Sequence, residues 1–182
     1  MFRLSLILLA ASTVFACSSR GGSAGVGSNC RAGGEFYADL YGALNTTLTW
    51  QDSELRCEGM PRPFGEGARL RFAGQVARND RMQNLAIIVA LPELQAGVVG
   101  RELRAKITII EEEEGRFFSN AEQETCWADI SSQELFAGSV DSYAIDGIVY
   151  CVAPIAAIST SESITIRNLK FGGRVDWHGS SQ

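Results

Sequence analysis

LRFAGQV, residues 70–76, is the stretch that decides the fold. Its large apolar side chains fall on alternate positions while Arg71 and Gln75 face the other way, a period of two that is typical of a half-buried β-strand. The stretch LKFGGRV, residues 169–175, matches it in residue type at most positions. The match fits a duplicated half-sandwich or two independent strands that share the same alternation around a bulge-forming glycine. We favour the second interpretation.

The same period recurs along the chain. Residues 103–109 and residues 143–151 alternate in this way and predict strands. Residues 85–91 are apolar at every position and stop at a proline, which predicts a strand covered on both faces. Residues 36–48 are compatible with one helical face, but Gly42 and the threonine-rich end favour a strand.

These patterns predict an all-β protein. Several short strands separated by turn residues favour an antiparallel β-sandwich, jelly-roll or immunoglobulin-like and stapled by disulfides, with a β-barrel as the alternative. No linker-like segment interrupts residues 30–182, which we interpret as a single β-sandwich domain. The last strand pattern, residues 164–177, is expected to be integral to a sheet.

The chain has five cysteines: Cys17, Cys30, Cys57, Cys126 and Cys151. If Cys17 is set apart, the other four can form two disulfides in three connectivities. We favour Cys30 with Cys57 and Cys126 with Cys151, because each bridge then staples one half of the chain. Each would stabilise the fold by about 3 kcal/mol, and the lack of a CxxC pair favours a structural over a redox role.

The first residues have the pattern of an export signal. Arg3 precedes an apolar run over residues 4–15, which at about 1.5 Å per residue is too short for a bilayer core of about 30 Å. Ordinary signal-peptide cleavage at this junction is one interpretation. The motif VFAC, residues 14–17, resembles a bacterial lipobox, which implies a signal peptide over residues 1–16, cleavage by signal peptidase II and a lipid on Cys17. Lipidation of Cys17 also removes the odd thiol.

Residues 17–29 contain the cysteine and a Gly/Ser-rich stretch that predicts a flexible tether. In proteobacterial lipoproteins a serine after the lipidated cysteine signals transfer to the outer membrane, and Ser18 resembles that signal. The resemblance implies a lipid-anchored outer-membrane protein whose domain faces the periplasm or the cell surface. The domain itself is similar to uncharacterised proteobacterial lipoproteins.

The net charge argues against one class of partner. The chain has 16 basic and 21 acidic residues, a formal net charge of −5. Nucleic-acid binding depends on basic side chains that neutralise phosphates, so nucleic acid is not expected as a partner. The same sign argues against adhesion of the domain to anionic headgroups.

We expect no catalytic residue, no metal site and no cofactor. His178, the one histidine, lies near the C-terminus, and no G-x-S-x-G motif supports a catalytic triad. Four glutamates, residues 111–114, could hold Ca²⁺, but a hairpin end solvated by its carboxylates is favoured. Residues 65–68 precede a strand pattern and are interpreted as a turn rather than as a phosphate-binding loop.

Three tryptophans, Trp50, Trp127 and Trp177, could form a platform on which sugar rings stack. Core filling is the favoured interpretation. Trp127, which follows Cys126, is expected to pack on a disulfide, as is common in sandwiches.

Two functions of different class follow. The favoured one is a non-enzymatic envelope lipoprotein that is held at the membrane by its lipid and binds or supports an envelope protein or a polysaccharide. The alternative is a hydrolase that uses an unrecognised Asp/Glu pair, because two carboxylates can hydrolyse a glycosidic bond without histidine.

Overall fold

A computed structural model describes Cys30, residues 32–78 and residues 80–177. The predicted signal peptide, Cys17, the tether and His178 lie outside these described residues. Within them the chain forms strands and one short 3-10 turn, Asp52–Glu54. The strands are β1 Glu35–Gly42, β2 Thr46–Gln51, β3 Arg56–Pro61, β4 Ala68–Arg78, β5 Arg81–Leu91, β6 Gly100–Arg104, β7 Lys106–Glu111, β8 Arg116–Ser119, β9 Cys126–Leu135, β10 Ser142–Cys151, β11 Ile155–Ala156 and β12 Ser163–Asp176.

The strands form two antiparallel sheets. Sheet A has the order β2-β1-β12-β10-β9-β6, with β11 paired to the first residues of β12, and sheet B has the order β3-β4-β5-β7-β8. The chain changes sheet after β2, β5, β6 and β8. The sheets pack face to face and are not closed into a barrel, so the predicted antiparallel sandwich is confirmed and the barrel alternative is wrong.

Alternation accounts for which face of each strand is buried. In β4 the side chains of Leu70, Phe72 and Val76 enter the core, while Arg71 and Gln75 point outward. Over residues 85–91, β5 is apolar on both faces; its outward Ala86 is buried, while the outward Ile88 and Ala90 are half-buried. β12 lies between β1 and β10, so the predicted role of the last strand as an integral part of a sheet is confirmed.

Two strand predictions change in detail. The segment 36–48 forms not one strand but the hairpin β1–β2, and Asn45 closes its turn by hydrogen bonds to the main chain of Gly42. The segment 103–109 is not one strand either, because Ala105 leaves the strand and the chain passes there from sheet A to sheet B. The Ala105 N–H donates to the Cys126 carbonyl at 2.9 Å, which ties this crossing to sheet A.

Residues 65–67 form the predicted turn, and β4 follows it directly.

A row of aromatic rings joins the two sheets. Phe36 of sheet A lies 5.4 Å from Trp50 and 5.0 Å from Phe72 of sheet B, measured between ring centroids. Phe72 in turn lies 5.3 Å from Phe171 of sheet A. All four rings are buried, so the row forms the centre of the core.

Each ring in this row except Phe36 rests on a glycine. A Cβ on Gly74 would lie 2.5 Å from the Trp50 ring, one on Gly173 would lie 3.1 Å from the Phe72 ring, and one on Gly147 would lie 2.8 Å from the Phe171 ring. The two glycines of the matching stretches, Gly74 and Gly173, pair in regular register with their neighbours. The expected bulge-forming role of these glycines is therefore wrong, because they make room for aromatic rings.

The two sheets come into close contact where β3 passes β12. A Cβ on Gly59 would lie 1.9 Å from the Arg174 carbonyl oxygen, so only glycine fits this position without a shift of the backbone.

Two disulfides complete the frame. Cys30 is bonded to Cys57 of β3, and Cys126 is bonded to Cys151, its direct partner across β9 and β10. This is the pairing that the sequence favoured.

We predict that alanine at Gly59 destabilises the domain more than alanine at Gly173. At Gly59 the new methyl group meets backbone, which cannot rotate away, whereas at Gly173 it meets the edge of the Phe72 ring, which can shift by a few tenths of an ångström. Overpacking commonly costs about 1–3 kcal/mol, and we expect Gly173→Ala near the lower end and Gly59→Ala at or above the upper end. Urea unfolding measures both, with Ala77→Ser on exposed β4 surface as the control. The reverse order of stability would contradict the close approach of β3 to β12.

We also predict that replacing Cys126 and Cys151 together by alanine lowers the free energy of unfolding by about 3 kcal/mol, because the bridge closes a loop with a sequence separation of 25. The pair Cys30→Ala and Cys57→Ala, with a separation of 27, serves as the matched variant and should cost a similar amount. Urea unfolding of the oxidised proteins measures both. A double variant that unfolds at the urea concentration of the wild type would show that its bridge adds no stability.

Candidate functional site

The three tryptophans do not form one platform. Trp50 is a core residue, and Trp177 is half-buried at the end of β12, where its Nε1–H donates to Gln133. Trp127 lies on the outer face of sheet A, whereas its neighbour Cys126 faces the core. The expected packing of Trp127 on the disulfide is therefore wrong, because consecutive residues of a strand point to opposite faces.

The four glutamates of the β7–β8 turn are all bound by groups of the protein. Glu111 is not solvated as expected but buried, and it forms ion pairs with Arg78 and, at 2.6 Å, with Arg116. The other three accept hydrogen bonds near the surface: Glu112 from Arg71, Glu113 from Asn84 and Glu114 from Gln83. Across the residues that the structure describes, no group of three or more metal-ligating side chains occurs.

Sheet A differs from sheet B in how regularly its strands pair. The strands of sheet B pair without a register shift, whereas sheet A contains three shifts of the kind that a β-bulge produces. Beside each shift an outward aspartate binds the irregular strand: Asp39 accepts from Asn168 at 3.1 Å, Asp129 from the Glu102 N–H at 2.8 Å and Asp146 from Ser132 at 2.6 Å. Bulges redirect side chains and are common beside functional sites. The outer face of sheet A is therefore the candidate site.

The bulge in β12 brings two consecutive side chains onto the outer face. Asn168 has a φ of 54°, a left-handed conformation that asparagine tolerates better than most residues. Its side chain reaches the Asp39 carboxylate of β1, and the preceding Arg167 stacks over the Tyr41 ring at 5.3 Å. The extra residue thus adds a donor and a cation to the same surface.

Asp39 is the most enclosed acid on this face, with 9% of its surface exposed. It accepts hydrogen bonds from the Thr47 hydroxyl at 2.8 Å, from Asn168 and from the Tyr37 hydroxyl at 3.1 Å. The Thr47 hydroxyl, followed by the Asn168 amide, lowers the pKa of Asp39 below its ordinary value. The hydrogen bond to Asp39 also raises the pKa of Tyr37. Asp39 is therefore a fixed anion that orients its neighbours.

The other side of the face carries an aromatic pair. Trp127 of β9 and Tyr150 of β10 are direct cross-strand partners with ring centroids 6.2 Å apart and planes inclined by 24°. Tyr150 is 37% exposed, and Ile148 beside it is 42% exposed. Burial, followed by the charges of Asp129 and Glu102, raises the pKa of the Tyr150 hydroxyl, which stays a neutral donor.

Two shallow grooves lie on this face. The first, of about 510 Å³, is lined by Glu35, Tyr37, Asn168 and Lys170. The second, of about 530 Å³, is lined by Val99, Gly100, Arg101, Asp129, Ile130, Ser131 and Ile148. The cross-strand pair Ile148 and Lys170 stands between them. From β1 to β9 the face spans three strand spacings, or about 14 Å.

Three cations on this face, Lys170, Arg101 and Arg167, form no ion pair with any residue that the structure describes. Lys170 lines the first groove and Arg101 the second. By contrast, Arg71 on the outer face of sheet B pairs with Glu112 at 2.6 Å and Glu58 at 3.7 Å. The outer face of sheet A also carries carboxylates, since Glu35 lines the first groove and Asp129 lines the second.

Sequence reasoning missed most residues of this face. One signal was present in the sequence, namely the residues that the alternation places on the outer face. Ile148 and Tyr150 occupy such positions, where a solvated strand normally carries small polar groups. The bulges carry no comparable signal, since the alternation in sequence does not show which strands become neighbours.

No helix in the described part of the chain is long and apolar enough to cross a membrane. In comparisons with known proteins, no family model, no curated protein and no solved structure matches this chain.

We predict that Asp39→Asn lowers stability at neutral pH and that its effect shrinks in acid. Because the folded state lowers the pKa of Asp39, the carboxylate contributes stability that is present above its unfolded pKa of about 3.9 and is lost as the pH falls through the folded value. Urea midpoints of wild type and variant should therefore differ at pH 7, and the difference should shrink as the pH falls below the unfolded pKa of about 3.9. Glu122→Gln, on an exposed turn, is the control. A gap that stays constant across this range would contradict the role of Asp39 as a bound anion.

Proposed function

We propose that this chain is a lipid-anchored lipoprotein of the bacterial outer membrane with a non-enzymatic binding or structural role, in which the sandwich presents the outer face of sheet A to an envelope partner. The observation that carries the proposal is the pairing of the cysteines. Cys30 with Cys57 and Cys126 with Cys151 account for four of the five, and this leaves Cys17, the cysteine of the lipobox-like motif, without a disulfide role.

Further support comes from compartment and charge. Disulfides form and persist mainly in oxidising compartments outside the cytoplasm, which is consistent with export. The Gly/Ser-rich segment between Cys17 and Cys30 suits a tether that leaves the sandwich free to meet a partner near the membrane. The acidic net charge supports a partner other than nucleic acid.

The hydrolase alternative has weaker support. A glycosidase needs a carboxylic acid whose pKa is raised, so that it can donate a proton at neutral pH. Hydrogen bonds from Thr47 and Asn168 lower the pKa of Asp39, and the hydrogen bond from Arg104 lowers that of Glu93. Both shifts favour ionised acceptors, which suit binding better than proton donation.

We predict that Cys17→Ala moves the protein from the membrane fraction to the soluble periplasm, because the variant has no thiol at which a lipid can be attached. Fractionation of cells that express the full chain, followed by immunoblotting, measures the change. Ser19→Ala, two residues further along, is the matched control and should remain with the membrane. A Cys17→Ala protein that still sediments with the membrane would show that the anchor lies elsewhere.

A further inference from the structure

We propose that β2, at the edge of sheet A, pairs with β2 of a second copy of this chain, so that two copies form a symmetric dimer through main-chain hydrogen bonds. Four strands end the two sheets: β2 and β6 in sheet A, and β3 and β8 in sheet B. No residue of β2 lines either groove of the outer face, so the dimer is independent of the binding role proposed above.

Two of the four edges carry features with which proteins block further pairing, namely charged side chains, prolines and bulges. β3 has exposed Arg56 and Glu58 and ends at Pro61, which has no N–H to donate. β6 is interrupted by a register shift, and Glu102 within it has a φ of 54°, which takes the strand out of regular pairing geometry. Neither edge offers a regular row of hydrogen-bonding groups to a second copy.

The edge of β8 is covered by another segment of the chain. Phe118 pairs with Ile109 of β7 on one side and forms an isolated bridge with Ala157 on the other. On this second side the Ile158 N–H also donates to the Phe117 carbonyl at 2.9 Å. The groups with which β8 could accept a further strand are therefore already in use.

β2 has none of these features. Its six residues, Thr46–Gln51, include no charged residue, proline or glycine, and they pair with β1 in unbroken register. Apart from that pairing, no main-chain to main-chain hydrogen bond in the described part of the chain involves β2. In an antiparallel pair, alternate residues direct their N–H and C=O groups away from the partner strand. Half of the main-chain groups of β2 therefore face an open edge.

The state of the other three edges identifies the occupant. Among its described strands a second copy offers one open edge, its own β2, so the two copies pair through the same strand. Such an isologous contact closes at two copies, whereas pairing between different edges would propagate into a filament. The composition of β2 permits this contact, because identical strands that carried charge would place like charges opposite each other.

The alternation of β2 restricts the register of the pair. Leu48 and Trp50 are buried in the core, whereas Thr47 and Thr49 are exposed on the outer face. Two antiparallel copies keep both cores on the same side of the joined sheet only if the two-fold axis passes through a residue. The registers that pair most of the strand are centred on Leu48 or on Thr49, and each places an outward threonine opposite a threonine of the other copy. Such cross-strand pairs are favourable.

The test measures the oligomeric state of the full chain in mild detergent, by native mass spectrometry over a range of protein concentrations. We expect a dimer that dissociates on dilution. Thr49→Lys brings two lysines together across the axis, and Thr49→Glu brings two glutamates together, so each variant alone should raise the dissociation constant about tenfold at low salt. An equimolar mixture of the two variants should dimerise again, because each lysine then meets a glutamate.

The matched control is Thr165→Lys, which changes an exposed threonine on β12, an internal strand of the same sheet, and should dimerise like the wild type. Thermal melts identify any variant that does not fold, and recovery in the mixture shows that both Thr49 variants do. A full chain that is monomeric at every concentration, a Thr49→Lys protein that dimerises like the wild type, or a mixture that does not recover would overturn the proposal.

Two further outcomes identify other occupants of the edge, and each would refute the dimer. Dimers that form only after deletion of residues 18–29 would show that the N-terminal segment of the chain itself covers β2. A photocrosslinking residue at position 49 should give a product of twice the chain mass in cells. A product with a different envelope protein in its place would assign the edge to that protein.

Discussion

Contact between aromatic rings and glycine backbone is the interaction on which the sandwich depends. Rings are the largest core residues, and three of the four rings in the aromatic row lie against a glycine, which has no Cβ. Gly74 and Gly173 meet their rings from the opposite sheet, whereas Gly147 is the cross-strand neighbour of Phe171 within sheet A. The row that results runs from Trp50 to Phe171 and fixes how the two sheets pack against each other. Each aromatic pair in the row contributes about 0.5–1.5 kcal/mol beyond the area that it buries.

The two sheets differ in the regularity of their pairing and in the groups on their outer faces. Sheet B pairs in unbroken register, and its outer face is crossed by ion pairs such as that of Arg71 with Glu112. Sheet A breaks its register three times and uses an outward aspartate at each break. A regular sheet can hold an irregular one in place because they share a rigid core. The irregular sheet is thereby free to carry rings, grooves and unpaired cations on its outer face.

The sandwich could be predicted from period-two alternation, and the disulfide pairing from cysteine parity together with a preference for bridges that each staple one half of the chain. Where the alternation predicted the wrong local structure, contacts between residues distant in sequence determined the observed one. The pattern over residues 103–109 is continuous, yet Ala105 divides it between two sheets. Glu111 has three acidic neighbours and is nonetheless buried, because Arg78 and Arg116 reach it from other strands. The candidate face could not be predicted as a unit, since β1 and β12 pair over a separation of more than a hundred residues.

The bridge between Cys30 and Cys57 has a mechanical consequence. Any tension along the chain that precedes Cys30 is shared between two load paths, one through the backbone to β1 in sheet A and the other through sulfur to β3 in sheet B. A single edge strand pulled from one end can be unzipped one hydrogen bond at a time. β3 is such an edge strand of sheet B, whereas β1 lies inside sheet A between β2 and β12, so part of the load acts on an internal strand. The bridge therefore spreads a load applied at Cys30 over both sheets.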